Sequence, residues 1–335
     1  MKKNKKYKAA LIGCGKIGIE VGRYRKEVQP ATHAGAFQIH PQIELVGFVD
    51  IDQKRLKIAA KNFPGVPLFS SAEAMLKKQK PDIISIATQP DSHPKLVKLA
   101  AQYKTKAILC EKPIALSLKE AKEMIRICKE NNSLLFINHS RHFDYLLRKW
   151  RDKIKKGLIG HIYQGNFYYY NGLFNNGTHN IDLLRFFLGD VDWVRAITNE
   201  RTSWNKKDKN VDAQVAFKSG AMVFLQSLPK NYGFLDLYFY GTKGRFAIKN
   251  LGYQVEYRKL IKNKYYKGYY QLSDLVTKEG KLRSYMKAVI NHLVACLDKR
   301  ERPISTGKDG LAALRVLFAL RESAKNNGKV IKIKC

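Results

Sequence analysis

"KAALIGCGKIG", residues 8–18, decides how the rest of the chain is read. A short uncharged run leads into GCGKIG, where Gly13, Gly15 and Gly18 keep GxGxxG spacing. Alone the string is weak. It gains meaning when a strand precedes it and a helix follows, and the flanking pattern predicts both. Gly13 then allows a tight turn, and Gly15 lets the backbone approach a pyrophosphate seated at the helix start, with Lys16, Ile17 and Gly18 completing the passage. A glycine-rich turn without a ligand is the alternative.

Working outward, "IELVGFVD" (43–50), "DIISIAT" (82–88), "KAILC" (106–110) and "LLFIN" (134–138) are continuous apolar runs rather than alternating ones. Such runs suit strands buried on both faces of a parallel sheet. Helical patterns lie between them at 52–62, 71–78, 92–103 and 117–130. Ser71, Asp91 or Ser92, and Ser117 read as N-caps, and Glu120 stands three residues after Ser117 as in a capping box. The alternation predicts right-handed βαβ units and a doubly wound α/β sheet over 1–137.

The ends of these strands carry polar groups. Asp50 is the expected ribose carboxylate, although it lies 32 residues past Gly18 against the usual ~20. The excess falls in "EVQPATHAGAFQIHPQ" (27–42), which reads as an extended loop. A carboxylate there favours NAD over NADP, which Arg55 can partly offset. Asp50 and Asp52 capping the next helix is the plainer alternative. "ATQPDSH" (87–93) places Thr88, Gln89 and His93 where a nicotinamide ribose would pack, or His93 makes only local hydrogen bonds. "CEKP" (110–113) sets Glu111 and Lys112 at a strand's carboxyl end, where ligands of open α/β sheets bind.

Composition bounds the rest. A chain of 335 residues with 45% apolar and 27% charged residues fits a globular protein of two domains. No apolar run is long enough to span a bilayer. The lysine-rich start mimics a signal peptide, but its apolar stretch is short and glycine-broken, so it reads as a basic tip before a first strand. Five cysteines without paired spacing predict reduced thiols and a cytoplasmic location. The net charge of +34 is spread along the whole chain. A dispersed excess predicts a solvated basic surface that attracts small anions rather than a nucleic-acid site.

"LIGCGKIG", "HPQIELVGFVDID", "IATQPDSH", "CEKPIALSLKEA", "GTHNIDLLRFFLGD" and "STGKDGLAALRVLFALRESAKNNGKVIKI" resemble, in order, the sequence blocks of the Gfo/Idh/MocA oxidoreductases. The resemblance covers nearly the whole chain and implies a Rossmann domain followed by a domain with a large, mostly antiparallel sheet. It also implies bound NAD(H) or NADP(H), hydride transfer at a secondary alcohol of a sugar or cyclitol, and dimers or tetramers. Lys112 matches the family's active-site lysine, with a cis bond expected between Lys112 and Pro113.

Residues 138–335 read as that second, α+β domain. Strand-like runs occur at 161–172, 194–200, 211–217, 221–228, 234–241, 245–250 and 253–259. "KSG" (218–220) and "GTKG" (241–244) read as hairpin turns, and helices close the chain at 282–298 and 309–325. In "FNNGTHNIDLLRFFLGD" (174–190), Thr178 is expected to cap a helix. His179 at its start would then stay neutral, as a general base requires. Lys112 would hold the same alcohol oxygen or relay its proton. Some family members have an aspartate four residues before this histidine. Here Asn175 stands there, which argues against an inositol-type enzyme and suits hydrogen bonds to sugar hydroxyls. Arg141, in "NHSRHFD" (138–144), can reach an anionic substrate or form a linker salt bridge. His139 and His142 lack the further ligands a metal needs, and Asp182 suits a helix N-terminus. "RKLIKNKYYKGYY" (258–270) mixes basic and aromatic residues as single-strand binders do, but an exposed edge or oligomer contact fits it better.

The sequence thus predicts an NAD(P)-dependent dehydrogenase or reductase of a sugar, sugar phosphate or nucleotide sugar, acting as a cytoplasmic homodimer or homotetramer without a metal. A non-catalytic NAD-binding protein with a polyanion partner, or a cyclitol dehydrogenase, is the alternative.

Overall fold

A computed structural model describes residues 6–20, 26–233 and 235–334. The basic tip at 1–5, residues 21–25, the first residue of the strand expected at 234–241, and Cys335 lie outside the described residues.

In chain order the first elements are β1 (Tyr7–Ile12), α1 (Lys16–Ile19), α2 (His33–Ile39), β2 (Ile43–Val49), α3 (Gln53–Asn62), β3 (Leu68–Phe69), α4 (Ala72–Gln79), β4 (Ile83–Ile86), α5 (His93–Gln102), β5 (Ala107–Cys110), α6 (Leu118–Glu130) and β6 (Leu134–Ile137). There follow α7 (Tyr145–Lys155), β7 (Ile162–Tyr170), α8 (Thr178–Leu188), β8 (Val191–Thr198), β9 (Val211–Phe217), β10 (Met222–Leu228), β11 (Asp236–Gly241), β12 (Gly244–Lys249), β13 (Gln254–Lys262), β14 (Tyr270–Leu272) and β15 (Thr277–Gly280). The chain closes with α9 (Tyr285–Leu297), α10 (Gly307–Lys325) and β16 (Ile331–Lys332).

Two compact units result: Met1–Asp144 with Arg283–Leu311, and Tyr145–Leu282 with Ala312–Cys335. The division therefore differs from a single cut after residue 137, because the segment bearing α9 returns to the first unit.

The first unit is built on a six-stranded parallel sheet in the order β3-β2-β1-β4-β5-β6. β4 and β5 are buried at every residue, as continuous apolar strands between two helical layers must be. α6 turns Ala121, Met124 and Cys128 inward, and Ser117 accepts from the Glu120 N–H as the sequence predicts. α9 covers part of the same core with Met286, Val289, Ile290, Leu293 and Val294, together with Tyr7, Phe37, Leu109 and Phe136. Burial of such side chains contributes about 2 kcal/mol each.

One expectation is corrected here, and one strand is added. Residues 27–42 are not an extended loop, because α2 occupies the middle of the stretch. Thr32 caps it by accepting from Gly35 N, and its first five residues are buried. β3 was not predicted, since two residues carry no periodic signal.

The second unit is a ten-stranded sheet among the described residues, in the order β14-β13-β12-β11-β7-β10-β9-β8-β16 with β15 beside β13. All its pairings are antiparallel except β7 with β10. The hairpins expected at 218–220 and 241–244 join β9 to β10 and β11 to β12. Trp150 of α7 stacks on Phe246 at 5.5 Å, and Phe187 of α8 meets Phe239 at 5.8 Å. α7 and α8 thus pack on the sheet face that bears Phe239 and Phe246. The basic, tyrosine-rich 258–270 stretch forms the β13–β14 edge hairpin, with Tyr265, Tyr266, Tyr269 and Tyr270 exposed. Among the described residues no helix is long and apolar enough to cross a membrane.

Candidate functional site

The strand order of the parallel sheet reverses between β1 and β4, which opens a crevice at the carboxyl ends of the strands. Gly13 closes β1 with φ +100°, and an added Cβ would lie 2.6 Å from Ala87 O. A Cβ on Gly18 would lie 2.2 Å from Gly13 O. The chain's own packing demands these two glycines. Gly15 is different, because its Cβ would meet nothing nearer than Arg55 Nη1 at 3.9 Å. Its bare backbone faces open space, as close approach by a pyrophosphate requires. Lys16 and Ile17 open α1 directly behind it, with the Gly18 and Ile19 N–H groups donating to Gly15 O.

Asp50 stands at the carboxyl end of β2, buried, and fastens the glycine turn. Its Oδ2 accepts from Cys14 N at 2.7 Å, and Oδ1 accepts from Asp52 N at 2.9 Å. Asp52, not Asp50, caps α3 by accepting from Lys54 N. Arg55 Nη1 lies 3.8 Å from Asp50 Oδ2 with its side chain half exposed. Burial, aided by the Asp50 charge, pushes the Cys14 thiol up to about 12, so it stays protonated. The turn and carboxylate fit a dinucleotide: open backbone at Gly15, and a buried carboxyl group one strand away.

After β4, Thr88 Oγ1 lies 2.6 Å from Ser92 Oγ, which donates to Gln89 O. Ser92 therefore ties the turn and, contrary to expectation, makes no cap bond to α5. Gln89 is exposed beside it. His93 is fully buried, with Nδ1 3.1 Å from Pro113 O and Nε2 3.2 Å from Thr88 O. Burial lowers its pKa. Of the two readings of His93, these local bonds match the second, and they pin the 88–93 turn to the bend after β5.

That bend carries Glu111, Lys112 and a cis Lys112–Pro113 bond. Glu111 is buried. Its Oε1 lies 2.9 Å from His33 Nε2 and accepts from Asn138 Nδ2 at 2.6 Å, while Oε2 accepts from Lys112 N at 3.2 Å. His33 Nδ1 lies 2.5 Å from Ser85 Oγ. Burial opposes ionisation of Glu111, but the hydrogen bond and charge of His33, with Lys112 and Asn138, outweigh it and hold the carboxyl at about 2. Sequence reading missed His33, Ser85 and Asn138. His33 falls in the stretch read as loop, and its partner lies 78 residues away.

In the second unit, Asn175 and His179 share one continuous helical passage. A π-helical turn, Gly172–Gly177, runs straight into α8, and Gly177 and Thr178 both adopt helical φ and ψ. Thr178 is thus not an N-cap, which corrects the expectation. The exposed N–H groups lie further upstream, where Asp208 accepts from Phe174 N at 2.9 Å and Asn175 N at 3.0 Å. The Gly172 N–H donates to Asn210 Oδ1. The Asp208 carboxylate thus meets the positive end of this helix. His179 is half-buried and Asn175 exposed. Asp182 is buried within α8 rather than at its start.

Arg141 lies in the 3-10 turn Ser140–Phe143 after β6, its guanidinium 5.9 Å from the Tyr285 ring centroid. Among the described residues no group of three or more His, Cys, Asp or Glu is placed to hold a metal. The structure brings residues 13–18, 50, 55, 88, 89, 93, 111 and 112 to one edge of the parallel sheet. It brings Asn175 and His179 together on the second unit.

Two family models match the chain. Residues 7–139 match an "oxidoreductase family, NAD-binding Rossmann fold", and residues 172–333 match an "oxidoreductase family, C-terminal alpha/beta domain". The D-apiose dehydrogenase of Paraburkholderia graminis is 26% identical over 98% of this chain and 90% of its own. A myo-inositol 2-dehydrogenase of Thermotoga maritima is 25% identical over 72% of this chain and 75% of its own. The WlbA dehydrogenase from Bordetella pertussis, solved with NADH and UDP-GlcNAcA, superposes with a TM-score of 0.80 at 20% identity, over 99% of both chains. At that identity the likeness is one of fold.

Proposed function

Since the chain belongs to the Gfo/Idh/MocA oxidoreductase family, we propose that it passes a hydride between NAD and a secondary alcohol of a sugar-like substrate. The observation that carries this reading is the set of bonds from Glu111 to His33, Asn138 and the Lys112 N–H. They fix the backbone that bears Lys112 at the crevice edge of a dinucleotide sheet.

When bound, the nicotinamide supplies the two-electron acceptor or donor. Asp50 binds the adenosine ribose through its remaining lone pairs and disfavours a 2′-phosphate, which makes NAD the preferred form. Gly15 admits the pyrophosphate, and Thr88 and Gln89 line the path onward. The Lys112 ammonium holds the alcohol oxygen and stabilises negative charge as it develops there. His179 takes the hydroxyl proton in oxidation and returns it in reduction. Asn175 hydrogen-bonds neighbouring hydroxyls, and Arg141 attracts an anionic group. A relative named D-apiose dehydrogenase, and a neighbour of the same fold solved with UDP-GlcNAcA, support a sugar-like substrate. Among the described residues the cysteines are buried and unbridged, which suits a cytoplasmic setting, and the family resemblance suits a homodimer or homotetramer.

A panel of free sugars, sugar phosphates, nucleotide sugars and cyclitols, followed by the absorbance of reduced nicotinamide, tests the proposal. Turnover of at least one non-cyclitol sugar by the wild type, and none by Lys112→Ala or His179→Ala, is the expected result. Undiminished turnover by either variant removes that residue from the mechanism. If no sugar or cyclitol is turned over, the dehydrogenase reading fails.

A further inference from the structure

The segment between β8 and β9 is a strap fastened to the turn that bears Asn175. Asp208 and Asn210 accept from three of that turn's N–H groups, at Phe174, Asn175 and Gly172. The strap is itself rigid: Asn210 Nδ2 donates to Thr202 O, Asn210 N donates to Ser203 Oγ, and Ser203 Oγ donates to Asn199 O. At its outer bend stands Trp204, whose Nε1 donates to Asn171 Oδ1 at 2.9 Å. Asn171 sits in the left-handed region at φ +66°, directly before the functional turn.

An indole held this way is an unusual surface group. Its one hydrogen-bonding atom is used, one face carries the Lys230 ammonium at 3.7 Å, and the residue remains 54% exposed. The fold has thus spent three backbone ties and a side-chain bond to fix an apolar plate in water. Such a plate recognises a flat or C–H-rich ring by stacking, and its prior immobilisation removes the entropy cost of ordering it on binding. The ammonium behind it adds attraction for an anionic link. Along the helical passage, Asn171 and His179 are eight residues apart, roughly 10–12 Å at helical rise. A ring on Trp204 is therefore not the reacting ring but the one beyond it.

We propose that Trp204 forms an outer subsite for a second ring of the substrate, a nucleoside base or a further sugar joined to the sugar being oxidised or reduced. The subsite rests on the reading of the 171–179 turn as substrate-binding, and it narrows the substrate class to ring-extended sugars.

Calorimetric titration of the NAD-loaded full chain with glucose, maltose and UDP-glucose tests it without relying on turnover. The wild type is expected to bind maltose or UDP-glucose about tenfold more tightly than glucose. Trp204→Ala should lose that preference while binding NAD as the wild type does, and Trp204→Phe should keep most of it. A preference for UDP-glucose alone identifies the base as the second ring, and one for maltose identifies a sugar. If neither probe binds more tightly than glucose to the wild type, or if the preference survives in Trp204→Ala, the subsite is overturned. Retained NAD binding separates loss of the subsite from loss of the fold. A chain that shows the Trp204-dependent preference but turns over no sugar would lose the dehydrogenase reading and keep the subsite.

Discussion

In the proposed mechanism Lys112 acts, while Glu111, His33 and Asn138 hold the backbone that bears it. Lys112→Ala is expected to lower kcat by at least about a thousandfold, since in the proposed mechanism its charge stabilises a developing oxyanion. NAD affinity, read by fluorescence titration, should change little. Glu111 belongs to the holding set and leaves a pH signature. Its folded carboxyl titrates at about 2 against an ordinary 4.5, so folding favours its charged form. The stability this supplies is whole above about pH 4.5 and is lost as pH falls toward 2. Denaturant titrations across that window should show a steeper decline for the wild type than for Glu111→Gln, by up to one proton's worth of slope. Parallel curves would mean the buried pair carries no such linkage. Asp50→Ala should weaken NAD by tenfold or more and NADP far less, because only the former loses a ribose hydrogen bond. Equal losses would return Asp50 to the purely structural work it does for Cys14 N.

The glycines and caps show which elements a sequence discloses. Gly18→Ala drives a methyl to within 2.2 Å of a carbonyl oxygen, so a loss of about 3 kcal/mol is expected in chemical denaturation. Gly15→Ala meets open space; its melting temperature should match the wild type while NAD binding falls tenfold or more. The parallel strands, the glycine turn and the CEKP bend were legible because unbroken apolar runs and turn residues are local signals. α2 was not, because its first five residues are all buried and a helix without a polar face shows no 3.6-residue period. The π-helical turn was hidden for another reason. Its N–H groups are satisfied by Asp208, more than thirty residues downstream, and no local pattern announces that partner. Likewise Lys112 could be read from its neighbours, whereas the His33–Glu111 pair exists only once the sheet has formed.

For the molecule as a whole, the excess positive charge of +34 predicts a kinetic rather than a structural effect. For an anionic sugar, kcat/KM should fall several-fold as ionic strength rises to about 0.5 M, where the Debye length shrinks below about 5 Å. For a neutral sugar it should hardly move. A parallel fall for both would point to salt acting on the fold instead.

α9 arrives in the first unit only after the chain has completed residues 145–282 elsewhere, and it supplies Met286, Val289, Ile290, Leu293 and Val294 to the core around Phe136 and Leu109. During synthesis, then, the parallel sheet waits with an oily flank uncovered until the ribosome has released residues 285–297. Interrupted translation leaves a nascent fragment of just the kind that chaperones must shield.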